Sequence, residues 1–264
     1  MSDDLNYDDL VKAKCDMETC VERMQRAQFF YETNSNYRQI NQVTNRKSEA
    51  DCYLHLGEIK RNLLIALRYK AVLEGKYSEE MRANQREWTK TAPEDIEEAI
   101  DIFQDLKMPK GEADAAYTLG MFYHTAVKDL PKCKEFWTKA SEVYTEANET
   151  QRMKDVEEEL RALEVEMDAV ATIQDRIKAL QSGENKEEQA VRAAFEKFDT
   201  DGSGTMEITE FNQLAGELGT FPPLSKAELA EAIEQIDNSM DGQITFDEFW
   251  AWWIADELEK AGSI

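Results

Sequence analysis

Two segments near the C-terminal end of the sequence repeat one spacing of oxygen-bearing side chains. The first runs from Asp199 to Glu210 and the second from Asp237 to Glu248, so each is twelve residues long. In both, oxygen-bearing side chains stand at positions 1, 3, 5, 9 and 12, and a glycine stands at position 6. Because glycine permits a sharp turn, the pattern predicts two tight loops whose oxygens converge.

Converging oxygens of this number are the ligands that calcium requires, since the ion takes about six to eight of them at roughly 2.3–2.6 Å. The first loop offers side-chain or main-chain oxygens from Asp199, Asp201, Ser203, Thr205, Glu207 and Glu210. The second loop offers them from Asp237, Ser239, Asp241, Gln243, Thr245 and Glu248. We therefore predict that two Ca²⁺ ions bind, with Mg²⁺ as an alternative occupant at rest.

Helical patterns flank both loops, with Phe195 and Phe198 before the first and Phe249 after the second. On this spacing, the segment from Gln189 to Ala255 resembles a pair of EF-hands. Pairs that no longer bind metal usually lack the Asp at position 1 or the Glu at position 12, and both loops keep these residues. The resemblance therefore implies a pair that binds metal.

The two loops differ in the number of carboxylates at ligand positions. The first has four and the second has three. Because more ligand charge usually gives tighter binding, we predict that the first loop fills at the lower calcium concentration.

An internal repeat precedes this region. The segment Lys47–Gly57 reappears as Lys110–Gly120, with six of eleven positions identical. In the second copy, Gly120 would let a neighbouring helix approach closely, and bulky Phe103, Tyr123 and Trp137 would fill the space between helices. Similarity at a fixed offset predicts repeated helical units.

At the second copy the sequence resembles a tetratricopeptide repeat, a helix pair that stacks on its neighbours. The residues that carry this resemblance are Leu119, Gly120, Tyr123, Cys133, Trp137 and Ala140. There are departures: Ala116 replaces the family's Trp, Cys133 its usual Ala, and the first copy has Lys60 where the family has Tyr. The resemblance implies tetratricopeptide-like pairs across residues 34–148. The alternative is an irregular helical bundle in which these stripes are only core.

A long helix is predicted after the repeats, from about Glu149 to Gln181, because apolar residues recur there every three or four positions. We expect this stripe to lie along the preceding helices. The polar stretch Ser182–Lys186 predicts the helix end. The expected fold is all-α. Its parts are an N-terminal helix (1–33), the repeats (34–148), a connecting helix (149–182) and the EF-hand pair (183–264).

The net charge of −24 argues against two classes of partner. Nucleic acids and anionic membranes both attract clustered Lys and Arg, whereas from Glu184 onward the sequence has 19 acidic and 5 basic residues. No apolar run approaches the roughly 20 residues of a membrane helix, and no export signal is visible. We therefore predict a cytoplasmic protein without membrane insertion, whose four cysteines are reduced.

Catalytic motifs are missing from the sequence. His55 and His124, the only histidines, have no Cys or His at ligand spacing, and no Ser-His-Asp set, phosphate loop or dinucleotide fingerprint occurs. We predict a protein that is not an enzyme, and keep an enzyme with an unfamiliar site as the least favoured alternative.

Three tryptophans follow the second loop in the run Phe249–Ile254 and cannot all face the core of two EF-hands. They either form a fixed interface within the chain or contact a partner when calcium opens the pair. Our first hypothesis is a calcium-responsive adaptor whose repeats, and in part this tryptophan-rich helix, bind a protein or peptide. The alternative is a calcium buffer or a metal-stabilised scaffold that barely changes shape.

Overall fold

The computed structural model of the chain describes residues 7–33, 39–181, 186–217, 229, 232, 233, 235–237, 239 and 241–260. These residues are almost entirely helical, which confirms the all-α prediction. The helices are α1 (Tyr7–Thr33), α2 (Gln39–Glu74), α3 (Glu79–Asp105), α4 (Pro109–Phe122), α5 (Leu130–Glu146), α6 (Thr150–Gln181), α7 (Lys186–Phe198), α8 (Ile208–Glu217) and α9 (Phe246–Lys260). Two short strands are β1 (Thr205–Met206) and β2 (Ile244–Thr245).

The chain divides into two compact units. The first comprises Met1–Leu67 and Ala83–Leu163, and the second comprises Arg68–Arg82 and Glu164–Ile264. The second unit therefore contains a segment from far upstream of its main part. We call this segment, Arg68–Arg82, the connector. It comprises the last turns of α2, the turn after it and the first residues of α3.

Helices α4 and α5 pack closely against each other in the first unit. A Cβ added to Gly120 would lie 2.3 Å from Cδ1 of Trp137, so the glycine leaves the space that the indole fills. The Trp137 ring stacks on Tyr117 at 5.9 Å between centroids, and its Nε1 donates to the Tyr117 carbonyl at 3.3 Å. The close approach predicted at Gly120 is present. A π-helical turn, Tyr123–Val127, joins the two helices.

The first copy of the internal repeat has the same glycine contact in a different setting. A Cβ on Gly57 would lie 2.3 Å from Cγ1 of Ile96 in α3, much as Gly120 meets Trp137. However, α2 is continuous through this copy, whereas a break before Pro109 opens α4 in the second. The two copies therefore share a packing contact without forming equivalent helix pairs.

Helix α6 spans the predicted connecting helix and crosses from one unit to the other. Val156 and Leu163 are buried in the first unit, whereas Val170 is 39% exposed in the second. The two compact units divide after Leu163, within the helix, whereas the domain boundary at the polar break from residue 182 stays a prediction. Residues 182–185 of that break lie outside the described part of the chain.

Two further observations concern membrane-spanning helices and the cysteines. Among the described residues, no helix has the length and apolar character needed to cross a membrane. Cys15, Cys20, Cys52 and Cys133 are all free thiols.

Candidate metal centre

A two-stranded sheet, with two residues in each strand, holds the two predicted calcium loops side by side in the second unit. Strands β1 and β2 pair antiparallel, with Thr205 opposite Thr245 and Met206 opposite Ile244. Met206 and Ile244 are 0% and 2% exposed, so buried apolar side chains anchor the sheet in the core of the unit. The pairing gives each loop the other as its neighbour.

Asp199 organises the first loop from position 1, directly after α7. Its carboxylate accepts hydrogen bonds from the main-chain N–H groups of Ser203 at 2.9 Å and Gly204 at 2.8 Å. Gly204 has φ +79° and Gly202 has φ +69°, backbone angles that residues with a Cβ rarely adopt. The glycines thus let the backbone curl around the Asp199 carboxylate.

Glu210 closes the first loop from the first turn of α8. Its Oε1 accepts from the N–H and the hydroxyl of Thr200 at 2.9 and 2.6 Å, and its Oε2 accepts from the Glu207 N–H at 3.0 Å. Carboxylate oxygens of Asp199, Asp201 and Glu210 consequently lie within 4.8 Å of one another. Three carboxylates this close repel each other, so the cluster favours binding of a hard cation.

The remaining predicted ligands of the first loop line the same turn. Ser203 Oγ donates to the Thr205 carbonyl at 2.9 Å, which puts both groups next to the Asp199 carboxylate. Glu207 is exposed. All six residues predicted for this loop therefore lie in one turn, with Glu207 at its solvent side.

Hydrogen bonds keep the first loop's main carboxylates ionised. Desolvation on its own raises the pKa of Asp199, but the N–H groups of Gly204 and Ser203 outweigh it and hold the pKa below the usual value. The same balance lowers the pKa of Glu210, where desolvation is opposed by hydrogen bonds from Thr200 and Glu207. Both groups are therefore charged and ready to bind a cation at neutral pH.

The second loop repeats this framework. Asp237 accepts from the Gly242 N–H at 2.9 Å and from the Ser239 hydroxyl at 3.2 Å. Glu248 accepts from the N–H groups of Ser239 and Thr245 at 2.8 and 2.9 Å. At position 5, the Asp241 carboxylate accepts from the Gln243 N–H at 2.8 Å. The predicted residues at positions 1, 3, 5, 7, 9 and 12 thus share one hydrogen-bonded turn.

Burial distinguishes the second loop from the first. Asp237 is 4% exposed, and desolvation, reinforced by the charges of Glu248 and Asp241, raises its pKa to about 6 although the Gly242 N–H opposes the shift. Within the described residues, three carboxylates meet inside 4.8 Å in the first loop and not in the second. The two loops share a backbone design and differ in their electrostatic environment.

Two connector residues, which were not predicted from the sequence, touch the second loop. Arg82 donates from Nη1 to the Asp241 carbonyl at 2.6 Å, and the Tyr77 ring packs on Gly242. They precede the loop by more than 150 positions. No local pattern in the sequence indicates such a contact, so only the fold reveals it.

The tryptophan-rich helix α9 follows the second loop. Trp250 is 1% exposed and stacks on Phe246 at 6.3 Å between centroids. Trp252 and Trp253 are half-buried, and both pack near Phe249, at 5.9 and 6.4 Å. Trp250 is therefore buried, whereas Trp252 and Trp253 are each partly exposed.

Comparison with known proteins agrees with this geometry. The family model described as an EF-hand domain pair matches residues 188–254. The chain is 35% identical over 63 residues to Calhepatin of Lepidosiren paradoxus, which covers 24% of this chain and 81% of the relative. It is 38% identical over 75 residues to Centrin-1 of Bos taurus, covering 28% of this chain and 42% of the relative.

A further relative is the probable calcium-binding protein CML20 of Arabidopsis thaliana, 38% identical over 64 residues, which cover 24% of this chain and 37% of that protein. The matches to Centrin-1 and CML20 thus span less than half of each relative. No solved structure matches the chain. Through its paired loops and flanking helices at residues 188–254, the chain belongs to the EF-hand family.

Proposed function

We propose that this chain binds two calcium ions and acts as a calcium sensor rather than as an enzyme. The observation that carries the proposal is the meeting of Asp199, Asp201 and Glu210 within 4.8 Å inside a hydrogen-bonded loop. The second loop supports it with the same framework around Asp237 and Glu248. The relative named as a probable calcium-binding protein is consistent with this function.

The ligand assignment follows the loop positions. Asp199, Asp201 and Ser203 would supply side-chain oxygens, the Thr205 carbonyl a main-chain oxygen, and Glu210 both of its carboxylate oxygens. In the second loop the corresponding side chains are those of Asp237, Ser239, Asp241 and Glu248, with the carbonyl of Gln243. Residues Glu207 and Thr245 at position 9 would act directly or through water.

The adaptor role is the second part of the proposal: the first unit binds a protein or peptide, and calcium in the second unit alters that binding. A cavity of about 270 Å³ supports it. The cavity lies between α4, α5 and α6 and is lined by Tyr117, Tyr144, Arg152, Asp155, Val156 and Glu159. One Glu159 oxygen is buried without a hydrogen-bond partner in the described structure, so it could accept from a ligand donor.

A calcium titration followed by tryptophan fluorescence and small-angle scattering, with magnesium present throughout, tests the sensor role. Trp250, Trp252 and Trp253 pack beside the second loop, so a rearrangement there should change their emission. A saturable change at micromolar calcium with an altered scattering curve supports a sensor. Calcium binding without either change supports the buffer or scaffold alternative. A Glu210→Gln/Glu248→Gln variant gives the background signal.

A further inference from the structure

The connector forms a fixed turn whose tip is Tyr77. Helix α2 ends where Gly75 adopts φ +73°, and the Lys76 N–H bonds back to the Ala71 carbonyl at 3.1 Å. Ser78 then caps α3 by accepting from the Met81 N–H at 3.1 Å. A helix end and a helix start that are both capped leave Tyr77 little conformational freedom.

The Tyr77 ring covers the glycine of the second loop. Tyr77 is 9% exposed, and a Cβ on Gly242 would lie 2.1 Å from its Cδ2 atom, so the ring lies directly on the Gly242 backbone. Gly242 also has φ +78° and donates the N–H that holds Asp237. The ring therefore fixes the residue that orients the first ligand of the loop.

Arg82 holds the adjacent residue from the other end of the connector. Its guanidinium donates to the Asp241 carbonyl at 2.6 Å and lies 5.7 Å from the centre of the Tyr77 ring. Tyr77 and Arg82 thus contact consecutive residues of the loop, positions 5 and 6.

The Tyr77 hydroxyl does not contribute to this contact. It is buried and has no hydrogen-bond partner among the described residues. A buried hydroxyl without a partner stabilises nothing, so the aromatic ring alone does the packing. Phenylalanine should therefore serve as well as tyrosine at this position.

Position 6 of the first loop has no equivalent cover in the described structure. A Cβ placed on Gly204, the counterpart of Gly242, would meet nothing within 4 Å. Gly204 is exposed and Gly242 is buried. The same loop position is therefore open in one EF-hand and covered by Tyr77 in the other. The connector approaches the first loop at its far end, where a Cβ on Gly75 would lie 3.4 Å from Cγ2 of Thr209.

We propose that Tyr77 and Arg82 are positioning residues of the second calcium loop, so that this loop binds calcium tightly only with the connector in place. The proposal rests on the calcium binding proposed above. Because coupling between two binding events is reciprocal, calcium in the second loop must also hold the connector on the loop. The connector continues covalently into α2 and α3, so calcium at this loop acts on the junction between them.

Calcium affinity in variants that keep one working loop tests the proposal. In a Glu210→Gln background, which leaves the second loop, Tyr77→Ala should weaken binding by about tenfold or more, the effect typical of lost support around a metal site. Tyr77→Phe should stay within about twofold of that background. Tyr69→Ala is the matched control, since Tyr69 lies in the same connector and is 51% exposed. In a Glu248→Gln background, Tyr77→Ala should change nothing.

The outcomes distinguish the positioning role of Tyr77 from calcium binding itself. Equal affinity for Tyr77→Ala and its Glu210→Gln parent overturns the positioning role, although calcium binding itself stands. Absence of calcium binding by the unmodified chain overturns the proposed function first. A loss of equal size in both backgrounds overturns the proposal too, because it indicates general destabilisation.

Hydrogen exchange gives a readout that does not depend on the folding of the Tyr77→Ala variant. Calcium should slow exchange of the connector amides about tenfold in the unmodified chain and in Glu210→Gln, because filling the second loop holds the connector. It should not do so in Glu248→Gln. The proposal is contradicted if calcium protects the connector amides in Glu248→Gln but not in Glu210→Gln, or protects them in neither.

Discussion

Thr205 of the first loop lies opposite Thr245 of the second in the antiparallel pairing of β1 and β2. Each of these threonines belongs to a loop that encloses a metal-binding turn. A loop that is ordered by its ion therefore fixes the strand on which the other loop is built, which couples the two loops through the shared sheet.

The coupling of the two loops follows from this pairing, and their filling order follows from their carboxylates. We expect the first loop to bind first, because its three carboxylates already lie within 4.8 Å, and its occupancy to tighten the second. Glu210→Gln should remove the tighter phase of a calcium titration and weaken the remaining phase roughly fivefold or more. Loss of the tighter phase in Glu248→Gln instead would reverse the predicted order.

The pH dependence of the two loops should differ. Because burial raises the pKa of Asp237 to about 6, a proton competes with calcium there, and affinity of the second loop should fall about tenfold per pH unit below pH 6. The first loop should keep its affinity to lower pH, since the pKa values of Asp199 and Glu210 are lowered. Titrations of Glu210→Gln and Glu248→Gln between pH 7 and pH 5 measure each loop separately.

The Asp237 carboxyl also determines how the stability of the metal-free protein changes with pH. Its folded-state pKa is above the ordinary value of 3.8, so the folded state binds this proton more tightly than the unfolded state does. The contribution of Asp237 to the free energy of unfolding should therefore rise as pH falls from 7 to 5. Asp237→Asn in the presence of a chelator should remove that rise in a urea denaturation series. An unchanged pH dependence would show that another group is responsible.

Gly120 should tolerate no side chain. A Cβ there would lie 2.3 Å from the Trp137 ring, and a rigid indole in a packed core has little room to move. We expect Gly120→Ala to lower the free energy of unfolding by about 2 kcal/mol, despite the better helix propensity of alanine. Urea denaturation followed by circular dichroism measures the loss. Thr138→Ala, at an exposed site of α5, is the control and should be nearly neutral.

Removing one partner of the buried Lys60–Asp95 ion pair should destabilise the protein strongly, whereas replacing both with apolar residues should have little effect on stability. Lys60 is 4% exposed and its Nζ lies 2.5 Å from the Asp95 carboxylate. Desolvation raises the pKa of Asp95 although Lys60 opposes the shift. Asp95→Asn leaves a buried ammonium and should destabilise the protein by about 3 kcal/mol. Lys60→Met/Asp95→Leu should stay within about 1 kcal/mol of the unmodified chain, and an equally large loss would contradict this account.

The metal centre was predictable because its information is local. Twelve consecutive residues determine the turn, the ligands and the glycine, so Asp199 to Glu210 could be interpreted without knowing any tertiary contact. The glycine contact of Gly120 with Trp137 was predictable for a similar reason, since the residues are 17 positions apart on adjacent helices.

The sequence did not predict the features that depend on long-range packing. The contact of Tyr77 with Gly242 joins residues 165 positions apart and has no periodicity to indicate it. The continuity of α2 was not predicted, because the similarity of the two copies indicated repeated helical units, whereas only the second copy directly follows a helix start at Pro109. Burial of Asp237, and with it the difference between the loops, likewise depends on distant residues.

The number of calcium ions bound per chain tests the central claim most directly. Equilibrium dialysis or calorimetry should give two ions for the unmodified chain, one each for Glu210→Gln and Glu248→Gln, and none for the double variant. Absence of binding by the unmodified chain, or two ions retained by the double variant, would contradict the assignment of the two loops.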